Sequence, residues 1–353
     1  MPLTDEIIDQ CVERYWRERD RYQKLASLVA DKCELMIRTG LIRGEVSARA
    51  KHPEGLRGKL RKHSRLGGVD EVVLDSVDAV FSWISDLAGV RVSTYIERDR
   101  PTVVEGLRSI FVGSDGGEIE IDSKDAPGKL YRATHCQVAI PPDELVGTYE
   151  NLRGLTCEVQ VCSLLAHVAN EVEHDIRYKQ LRGPISGNES DLLDALGQVT
   201  ASGDAVVVAV IEAQERRQSV AEGEFEDEHD FVVRMRGRFP EATQFAWHAF
   251  QLYEELVALG LDSSATIEAE LLYGDYLGRS SGLLEELKAR CEGEPRRVVS
   301  ADPVTSDALL VLLLEKKASE IEQRHPAGRG RGRPSRIRSL ATRFLQLVQT
   351  EGA

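Results

Sequence analysis

The stretch EVQVCSLLAHVANEVEHDIRYK (residues 158–179) most constrains the fold, because an alternating, strand-like run passes directly into a helical one. Alternation with period two predicts a half-buried strand, whereas apolar residues three and four apart predict a helix. In the helical part we expect one buried face, formed by Leu165, Val168, Val172 and Ile176. A strand that leads straight into a helix indicates a domain that mixes the two.

The preceding residues carry further elements of both kinds. Apolar positions at helical spacing predict a long helix over residues 5–40, and Gly40 is a plausible helix stop. A helical pattern near 70–84 is followed by a strand at DLAGVRVSTYI, a helix at TVVEGLRSIF, and strands at EIEID, YRATHCQVAI and TCEVQV. This order predicts an α/β (α+β) domain with a mixed sheet and flanking helices.

We therefore expect three parts in the chain. An N-terminal helical segment covers residues 1–40, and the mixed-sheet domain covers 41–183. The loop LRGPISGNES (181–190) contains Pro and two Gly and is predicted to be a boundary. Only helical periodicity follows it, so residues 190–353 are expected to form an all-α C-terminal domain of unknown role.

The formal charge of −14 is unevenly distributed along the chain. Residues 41–66 contain eight Lys or Arg and two Glu, whereas residues 221–230 contain six acidic residues and no basic one. The first stretch is a candidate anion-binding surface, although a solvated basic face has the same composition. The second is expected to be a flexible acidic break between helices.

Composition also predicts a cytosolic protein. No window offers 18 uncharged apolar residues, and the first residues are charged and lack the apolar core of a secretion signal. The cysteines show no CxxC pair and no zinc-type spacing with histidine, so we expect reduced and mostly buried thiols. They are Cys11, Cys33, Cys136, Cys157, Cys162 and Cys291.

Two carboxylates lie on separate predicted strands. Asp86 stands at the entry to DLAGVRV, five residues before Arg91, and Glu158 lies within EVQV on the same face as Gln160. Such a pair suits a hard divalent cation such as magnesium when phosphate oxygens supply the remaining ligands. The alternative is that Asp86 is a turn residue and Arg91 a solvated strand residue.

The predicted strand YRATHCQVAI places Tyr131 and His135 on one face. Four residues of strand would separate them by about 13 Å. That spacing would suit a flat ring stacked at one end and a charged group bound at the other. A sheet with one solvent-exposed face is the simpler interpretation of this pattern.

The helix that follows Glu158 carries polar residues on one face, at steps of four, three and four: His167, Glu171, His174 and Tyr178. A metal site is one interpretation, but the spacing is not HExxH and no third ligand is evident. We favour a polar face that lines a cleft.

The order of four motifs resembles the nucleotidyltransferase domain of the RelA/SpoT family, the alarmone synthetases. The motifs are SARAK with LRGKLRK, DLAGVRV, LYRATH, and EVQV with EVEHDIRYK, over roughly residues 40–182. The resemblance implies transfer of the β,γ-pyrophosphate of ATP to the 3′-hydroxyl of GTP or GDP, with Mg²⁺ as the metal. Pyrophosphoryl transfer depends on charge neutralisation and positioning rather than on a covalent nucleophile.

The resemblance also implies roles for ten residues. Arg49 and Arg91 would sandwich the adenine, and Lys51 and Lys59 would hold the donor phosphates. Asp86 and Glu158 would bind the metal, with Glu158 also activating the attacking hydroxyl. On the acceptor side the residues are Tyr131, which would stack on guanine, and His135, Gln160 and His167, which would line the site.

This chain departs from the family pattern on the acceptor side. Leu130 replaces the usual glycine before the stacking tyrosine, and Cys162 replaces a common arginine after the strand. His167 and Ala169 stand where the family often has another polar residue and an aromatic one. These differences keep a rival open, in which a toxin-like relative pyrophosphorylates a tRNA 3′ end. A second rival is an inactive nucleotide-sensing module.

Three further expectations concern the rest of the chain. We expect synthesis without hydrolysis, because EHD at 228–230 is a poor candidate for the family's hydrolase metal motif. The basic stretch HPAGRGRGRPSRIR (325–338) is interpreted as a linker, with nucleic-acid contact as a minority alternative. The sequence leaves self-association open.

Overall fold

The computed structural model describes most of the chain, in six ranges: 3–65, 74–125, 131–178, 185–289, 301–324 and 335–351. The chain divides into two compact units, one of residues 1–38 and 42–209 and the other of residues 39–41 and 210–353. The division falls inside a long helix, whereas the sequence predicted it at the 181–190 loop. Residues 181–184 of that loop lie outside the described ranges, as do residues 70–73 of the predicted 70–84 helix.

The first unit contains a five-stranded sheet in the order β1-β2-β5-β4-β3. β2 and β5 pair in parallel and the other neighbours pair antiparallel. The strands are β1 (Gly44–Ala50), β2 (Ala88–Thr94), β3 (Glu120–Ser123), β4 (Thr134–Val138) and β5 (Cys157–Ser163). The predicted mixed sheet is confirmed. β1 was missed because it is an edge strand in which four of seven residues are exposed and the apolar positions are mostly small, so it lacks the strong apolar alternation that marks a strand.

Within the described ranges, six α-helices accompany this sheet. They are α1 (Asp5–Thr39), α2 (Pro53–Arg65), α3 (Val77–Trp83), α4 (Arg100–Ile110), α5 (Leu164–Tyr178) and α6 (Gly187–Gln218). One sheet face is buried, with Val90, Val159 and Cys136 fully covered, and α1 contributes the buried side chains of Tyr15 and Leu25. The opposite face is only partly covered, which leaves it available for ligands.

The predicted buried face of α5 is wrong. Leu165, Val168, Val172 and Ile176 are all exposed, by 37% to 59%. The buried residues of this helix are instead Ala166, Ala169 and Asn170. Small side chains allow α5 to pack closely, and Ala169 contacts Leu193 of α6. The sequence pattern correctly predicted the helix, but it predicted that the larger apolar residues, and not the alanines, form the packing face.

Among the described residues of the second unit the regular elements are helices, as predicted. Its helices after α6 are α7 (Glu228–Met235), α8 (Ala249–Ala258), α9 (Ser264–Leu271), α10 (Tyr276–Ala289), α11 (Asp307–Arg324) and α12 (Arg336–Glu351). Six consecutive residues of α11, Leu309 to Leu314, are buried by at least 99%. A helix that is apolar all round is a core helix, and α11 is the centre of this unit.

The expectation of a flexible break at residues 221–230 is wrong. Asp227 caps α7 by accepting a hydrogen bond from the backbone N–H of Asp230. The Asp230 carboxylate is buried and lies 3.2 Å from the Arg234 guanidinium, which is also buried. Acidic residues are favourable at a helix N-terminus, and the internal arginine compensates the buried charge, so an acidic run can be folded here.

The basic stretch 325–338 is described only from residue 335 onward. Within that part, Arg336 forms a bidentate ion pair with Asp307, whose side chain is 1% exposed. This guanidinium therefore belongs to the helical core.

In the part of the chain that the structure describes, one helix, α6, is long and apolar enough to cross a membrane by length and composition alone. Only 17% of its most apolar window is buried. The same helix carries Asp204, which is ion-paired within the first unit, as described below. Core helices of soluble proteins meet the same criteria of length and composition, so these criteria are weak evidence for a membrane span. The five described cysteines are buried and free, as predicted, and Cys291 lies outside the described residues.

Candidate active site

The open face of the sheet gathers most of the predicted site residues. Because paired residues on neighbouring strands share a face, the strand register defines two rows of side chains. One row contains Arg49, Gly89, Glu158 and Gln137, and the other contains Ser47, Arg91, Gln160 and His135. Residues distant in sequence are thereby brought together by backbone pairing alone.

Glu158 lies on β5, at the centre of the sheet, and its carboxylate has two partners. Gln160 Nε2 donates a 2.7 Å hydrogen bond to Glu158 Oε2, and His135 Nδ1 lies 3.3 Å from Oε1. Burial would raise the pKa of Glu158, but the contacts with His135 and Gln160 outweigh it and lower the pKa below its ordinary value. The group is therefore an ionised carboxylate at neutral pH.

His135 connects this carboxylate to Tyr131. The Tyr131 hydroxyl lies 2.8 Å from His135 Nε2, and the two ring centroids are 5.8 Å apart. The predicted arrangement, with the two side chains at opposite ends of a strand, is wrong, because β4 begins only at Thr134 and the tyrosine bends back toward the histidine. Burial raises the pKa of Tyr131 to about 12. The phenol thus remains protonated at neutral pH, and His135 Nε2 is an acceptor within its reach.

Asp86, just before β2, is held by both predicted donor lysines. Lys51 Nζ lies 2.5 Å from Asp86 Oδ2, and Lys59 Nζ lies 3.0 Å from Oδ1. Burial would raise the pKa of Asp86, but the two ammonium groups outweigh it and lower the pKa. Asp86 and Glu158 are close enough that the charge of Asp86 raises the pKa of Glu158 in part. The two carboxylates therefore form one electrostatic unit.

Lys51 also depends on a residue that sequence reasoning missed. The buried Tyr15 of α1 donates a 2.7 Å hydrogen bond to the Lys51 carbonyl and lies 3.3 Å from the carbonyl of Leu87, next to Asp86. The Lys51 backbone N–H also bonds to Leu87. A buried tyrosine needs a partner for its hydroxyl, and here that requirement fixes the backbone on both sides of the ion pair. The position of Tyr15 in the helical apolar pattern of α1 predicted only that its ring is buried, and did not indicate that its hydroxyl fixes the backbone beside Asp86.

The side chain of Arg91 on β2 extends to α5. Its guanidinium donates to Glu171 Oε1 at 2.6 Å and lies 3.3 Å from His167 Nε2 and 3.5 Å from Gln160 Oε1. The polar helix face formed by His167 and Glu171 thus contacts the sheet, as predicted for a face that lines a cleft. The predicted donor residue Arg91 and the predicted acceptor residue His167 are direct neighbours.

Arg49 reaches the same region from β1. Its side chain passes over Gly89, where an added Cβ would lie 3.8 Å from Arg49 Cγ. Arg49 and Arg91 are diagonal neighbours across the β1–β2 pair, a separation of about 7–8 Å between such positions. Two planar groups that stack on the opposite faces of one ring need a spacing of this size. The arrangement suits a flat aromatic ring held between two guanidinium groups.

The remaining predictions fall outside the cleft. His174 lies beside Asp175, and the side chain of Tyr178 is outside the described ranges, as is Leu130. Cys162 is 2% exposed and packs against Ala133 and Ala166. The thiol at this position is therefore covered, and it contributes no charge to the acceptor side.

The residues fit a divalent cation. Asp86 and Glu158 provide carboxylate oxygens, the ligand type that hard cations prefer, and two lysines beside them can neutralise phosphate groups. No cluster of three or more His, Cys, Asp or Glu with metal-binding geometry occurs within the described ranges.

The fold and this site define a nucleotidyltransferase-type domain whose cleft is suited to phosphorylated substrates. The sequence profile described as "Region found in RelA / SpoT proteins" matches residues 48–182, and this part of the chain is a RelA/SpoT family domain. The family is one of alarmone synthetases that transfer pyrophosphate with a divalent metal.

Solved structures similar to this chain include small alarmone synthetases. Small alarmone synthetase 1 from Bacillus subtilis is 19% identical, with 57% of this chain and 99% of that chain covered and a TM-score of 0.45. The same protein bound to its product pppGpp is 18% identical, with 57% and 98% covered and a TM-score of 0.44. Small alarmone synthetase 2 from Bacillus subtilis is 20% identical, with 56% and 99% covered and a TM-score of 0.43. No curated protein sequence matches the chain.

Proposed function

We propose that this protein transfers the β,γ-pyrophosphate of ATP to the 3′-hydroxyl of GTP or GDP, giving guanosine penta- or tetraphosphate and AMP. The observation that carries the proposal is the pair of carboxylates on one cleft. Asp86 is flanked by two lysines, and Glu158 is linked through His135 to an aromatic ring. One side of the pair therefore suits polyphosphate and the other suits a nucleoside.

The chemistry requires one bond to form and one to break. The acceptor 3′-oxygen attacks the β-phosphorus of ATP, the bond between that phosphorus and the α,β-bridging oxygen breaks, and AMP leaves. Glu158, ionised because its pKa is lowered, accepts the proton of the attacking hydroxyl. Lys51 and Lys59 neutralise charge on the transferred group, and Arg49 and Arg91 hold the adenine. A divalent cation held by Asp86 and Glu158 would supply further positive charge to the phosphate oxygens.

The acceptor is assigned to the Tyr131 side of Glu158. The ring of Tyr131 can stack on a flat base while its hydroxyl lies against His135. Gln160, also on the open face, can donate or accept a hydrogen bond at the base edge or sugar. Arg91, on the donor side, contacts His167, on the acceptor side. Because each nucleotide would contact one of these two neighbours, binding of donor and acceptor should be coupled.

The proposal is tested by incubating the purified protein with Mg²⁺ and γ-labelled ATP, with GDP, GTP, ATP or bulk tRNA in separate reactions. Label in a guanosine tetra- or pentaphosphate is the expected result. Label only in tRNA would replace the proposal by the toxin-like activity, and nucleotide binding without transfer would replace it by a sensing module.

The proposal includes synthesis without hydrolysis. In EHD at 228–230, Asp230 is buried against Arg234 and His229 lies near Glu228, so this triplet is part of a helix cap and core. Incubation of purified labelled product with the protein and Mn²⁺ or Mg²⁺ should release no pyrophosphate. Release at a rate comparable to synthesis would contradict this part of the proposal.

Tyr131→Ala should raise the acceptor KM by about 5- to 100-fold, the equivalent of about 1–3 kcal/mol of base stacking. The ATP KM should change by less than about twofold, because the ring faces the acceptor side. Steady-state kinetics with each substrate varied in turn measure both values. Tyr131→Phe is the matched control: it keeps the stacking ring and removes only the hydroxyl contact with His135. An equal rise in both KM values for Tyr131→Ala would contradict the assignment.

A further inference from the structure

A buried carboxylate lies beyond the region matched to the family, on the first unit's part of α6. Asp204 is 4% exposed, although it stands within an otherwise apolar helical stretch. Its Oδ2 accepts hydrogen bonds from the Arg132 guanidinium at 2.7 Å and from Ser163 Oγ at 2.9 Å. Burial of a charge is costly unless it is paired and hydrogen-bonded, so this position requires its two partners.

Each partner of Asp204 lies at a point that shapes the acceptor side. Arg132 directly follows Tyr131, and Ser163 is the last residue of β5. Ser163 Oγ also accepts a 3.0 Å hydrogen bond from the backbone N–H of Ala166, so it caps the start of α5. One carboxylate therefore ties the residue after the stacking tyrosine to the junction between β5 and α5.

The backbone of Arg132 is fixed as well as its side chain. Asn170 of α5 accepts from the Arg132 N–H at 3.2 Å and donates to the Arg132 carbonyl at 3.1 Å. Asn170 is 7% exposed, so little solvent competes for these bonds. Asn170 holds the backbone of Arg132, and Asp204 holds its guanidinium. The side chain of the preceding residue, Tyr131, is thereby oriented toward His135.

Asp204 belongs to a cluster of charged groups. Burial raises the pKa of the nearby Glu97, Arg100 and Arg132 oppose that rise, and Asp204 and Asp125 add to it. Within this cluster Asp125 pairs with Arg100, and Asp204 compensates Arg132. Loss of the Asp204 charge would leave the Arg132 guanidinium, 18% exposed, without its carboxylate. An unpaired guanidinium is costly to bury, so we expect the segment that carries Arg132 to move until the guanidinium reaches solvent.

We propose that Asp204 is a positioning residue for the acceptor side: through Arg132 and Ser163 it fixes the segment that presents Tyr131, so that α6 sets the affinity for the acceptor. The proposal rests on the proposed function for the identity of the acceptor. It adds a site determinant from outside residues 48–182 and makes α6, which continues into the second unit, a route by which acceptor binding can be regulated.

Asp204→Asn is the first test, because asparagine keeps the size and one acceptor while removing the charge. We expect the acceptor KM to rise by about tenfold, with the ATP KM within about twofold of the wild-type value. Asp191→Asn, an exposed acid-to-amide change on the same helix, is the matched control and should alter neither. An equal change in both KM values together with a general loss of stability would overturn the proposal, because it would indicate a structural role only.

The dependence on Arg132 is tested by a double-mutant cycle. In an Arg132→Met background, Asp204→Asn should change the acceptor KM by less than about twofold, since the guanidinium partner is already absent and the asparagine oxygen can still accept the hydrogen bond from Ser163. A full tenfold effect in that background would show that Asp204 does not act through Arg132 and would overturn the proposal.

Amide hydrogen exchange supplies a readout that does not depend on turnover. Asp204→Asn should increase exchange in residues 131–134 and at the start of α5, while β2 remains unchanged. Unaltered exchange in the 131–134 segment would overturn the positioning role. If the wild-type protein transferred no label to a guanosine nucleotide, the proposed function would fail, and this exchange experiment would still decide on Asp204.

Discussion

The Glu158→Gln protein is expected to lose pyrophosphoryl transfer by about 10²–10⁴-fold, the range for loss of a general base. Glutamine preserves the shape and an oxygen acceptor for Gln160, but it cannot take the proton of the hydroxyl and carries no charge for a cation. No adenine contact is removed, so the Kd for ATP should change little. Single-turnover transfer and equilibrium ATP binding measure the two effects separately.

Glu120→Gln is the matched control for this change. Glu120 lies on the edge strand β3, opposite Gln137 and two strands from Glu158, and is exposed, so the same chemical substitution is made on the same sheet without altering the carboxylate pair. It should retain wild-type transfer. Near-wild-type activity in Glu158→Gln would show that the catalytic carboxylate lies elsewhere.

The sequence predicted the sheet well because strand alternation is a local signal. β2 and β5 have buried Val residues on one face and polar residues on the other, so both strands and their functional face were evident. Glu158 and Asp86 were selected as carboxylates on separate strands, the family resemblance then implied their roles, and strand register brought Glu158 into one row with Arg49.

What the sequence did not predict depends on contacts between distant residues. The exposed apolar stripe of α5 shows that periodicity identifies a helix but not which face packs, since here alanines provide the close contact. Tyr15 stands at an apolar position of a charged helix and Asp204 on a helix distant in sequence from the site, and only the fold brings them to Lys51 and Arg132. The folded acidic run at α7 required the buried Arg234, which lies one helical turn away.

Asp86→Asn should have opposite effects on metal-dependent transfer and on metal-free binding. Transfer should fall by about 10²–10³-fold, comparable to loss of a key electrostatic group at a transition state. Binding of ATP in the presence of EDTA should be unchanged or tighter by a few-fold. Asp86 is paired with Lys51 and Lys59, and removal of its charge frees both ammonium groups for the phosphates of ATP.

The pH dependence of Asp86 follows from the sign of its shift. Its pKa is lowered in the folded protein, so the ion pair contributes stability above the ordinary carboxyl pKa and loses it as the pH falls through the lowered value. Metal-free ATP binding should therefore differ between wild type and Asp86→Asn at neutral pH and converge in acid. Asp75→Asn, an exposed change shortly before α3, is the control and should behave as wild type. Weaker metal-free binding in Asp86→Asn would mean that Asp86 orients the lysines for ATP, and that its carboxylate does more than compete for them.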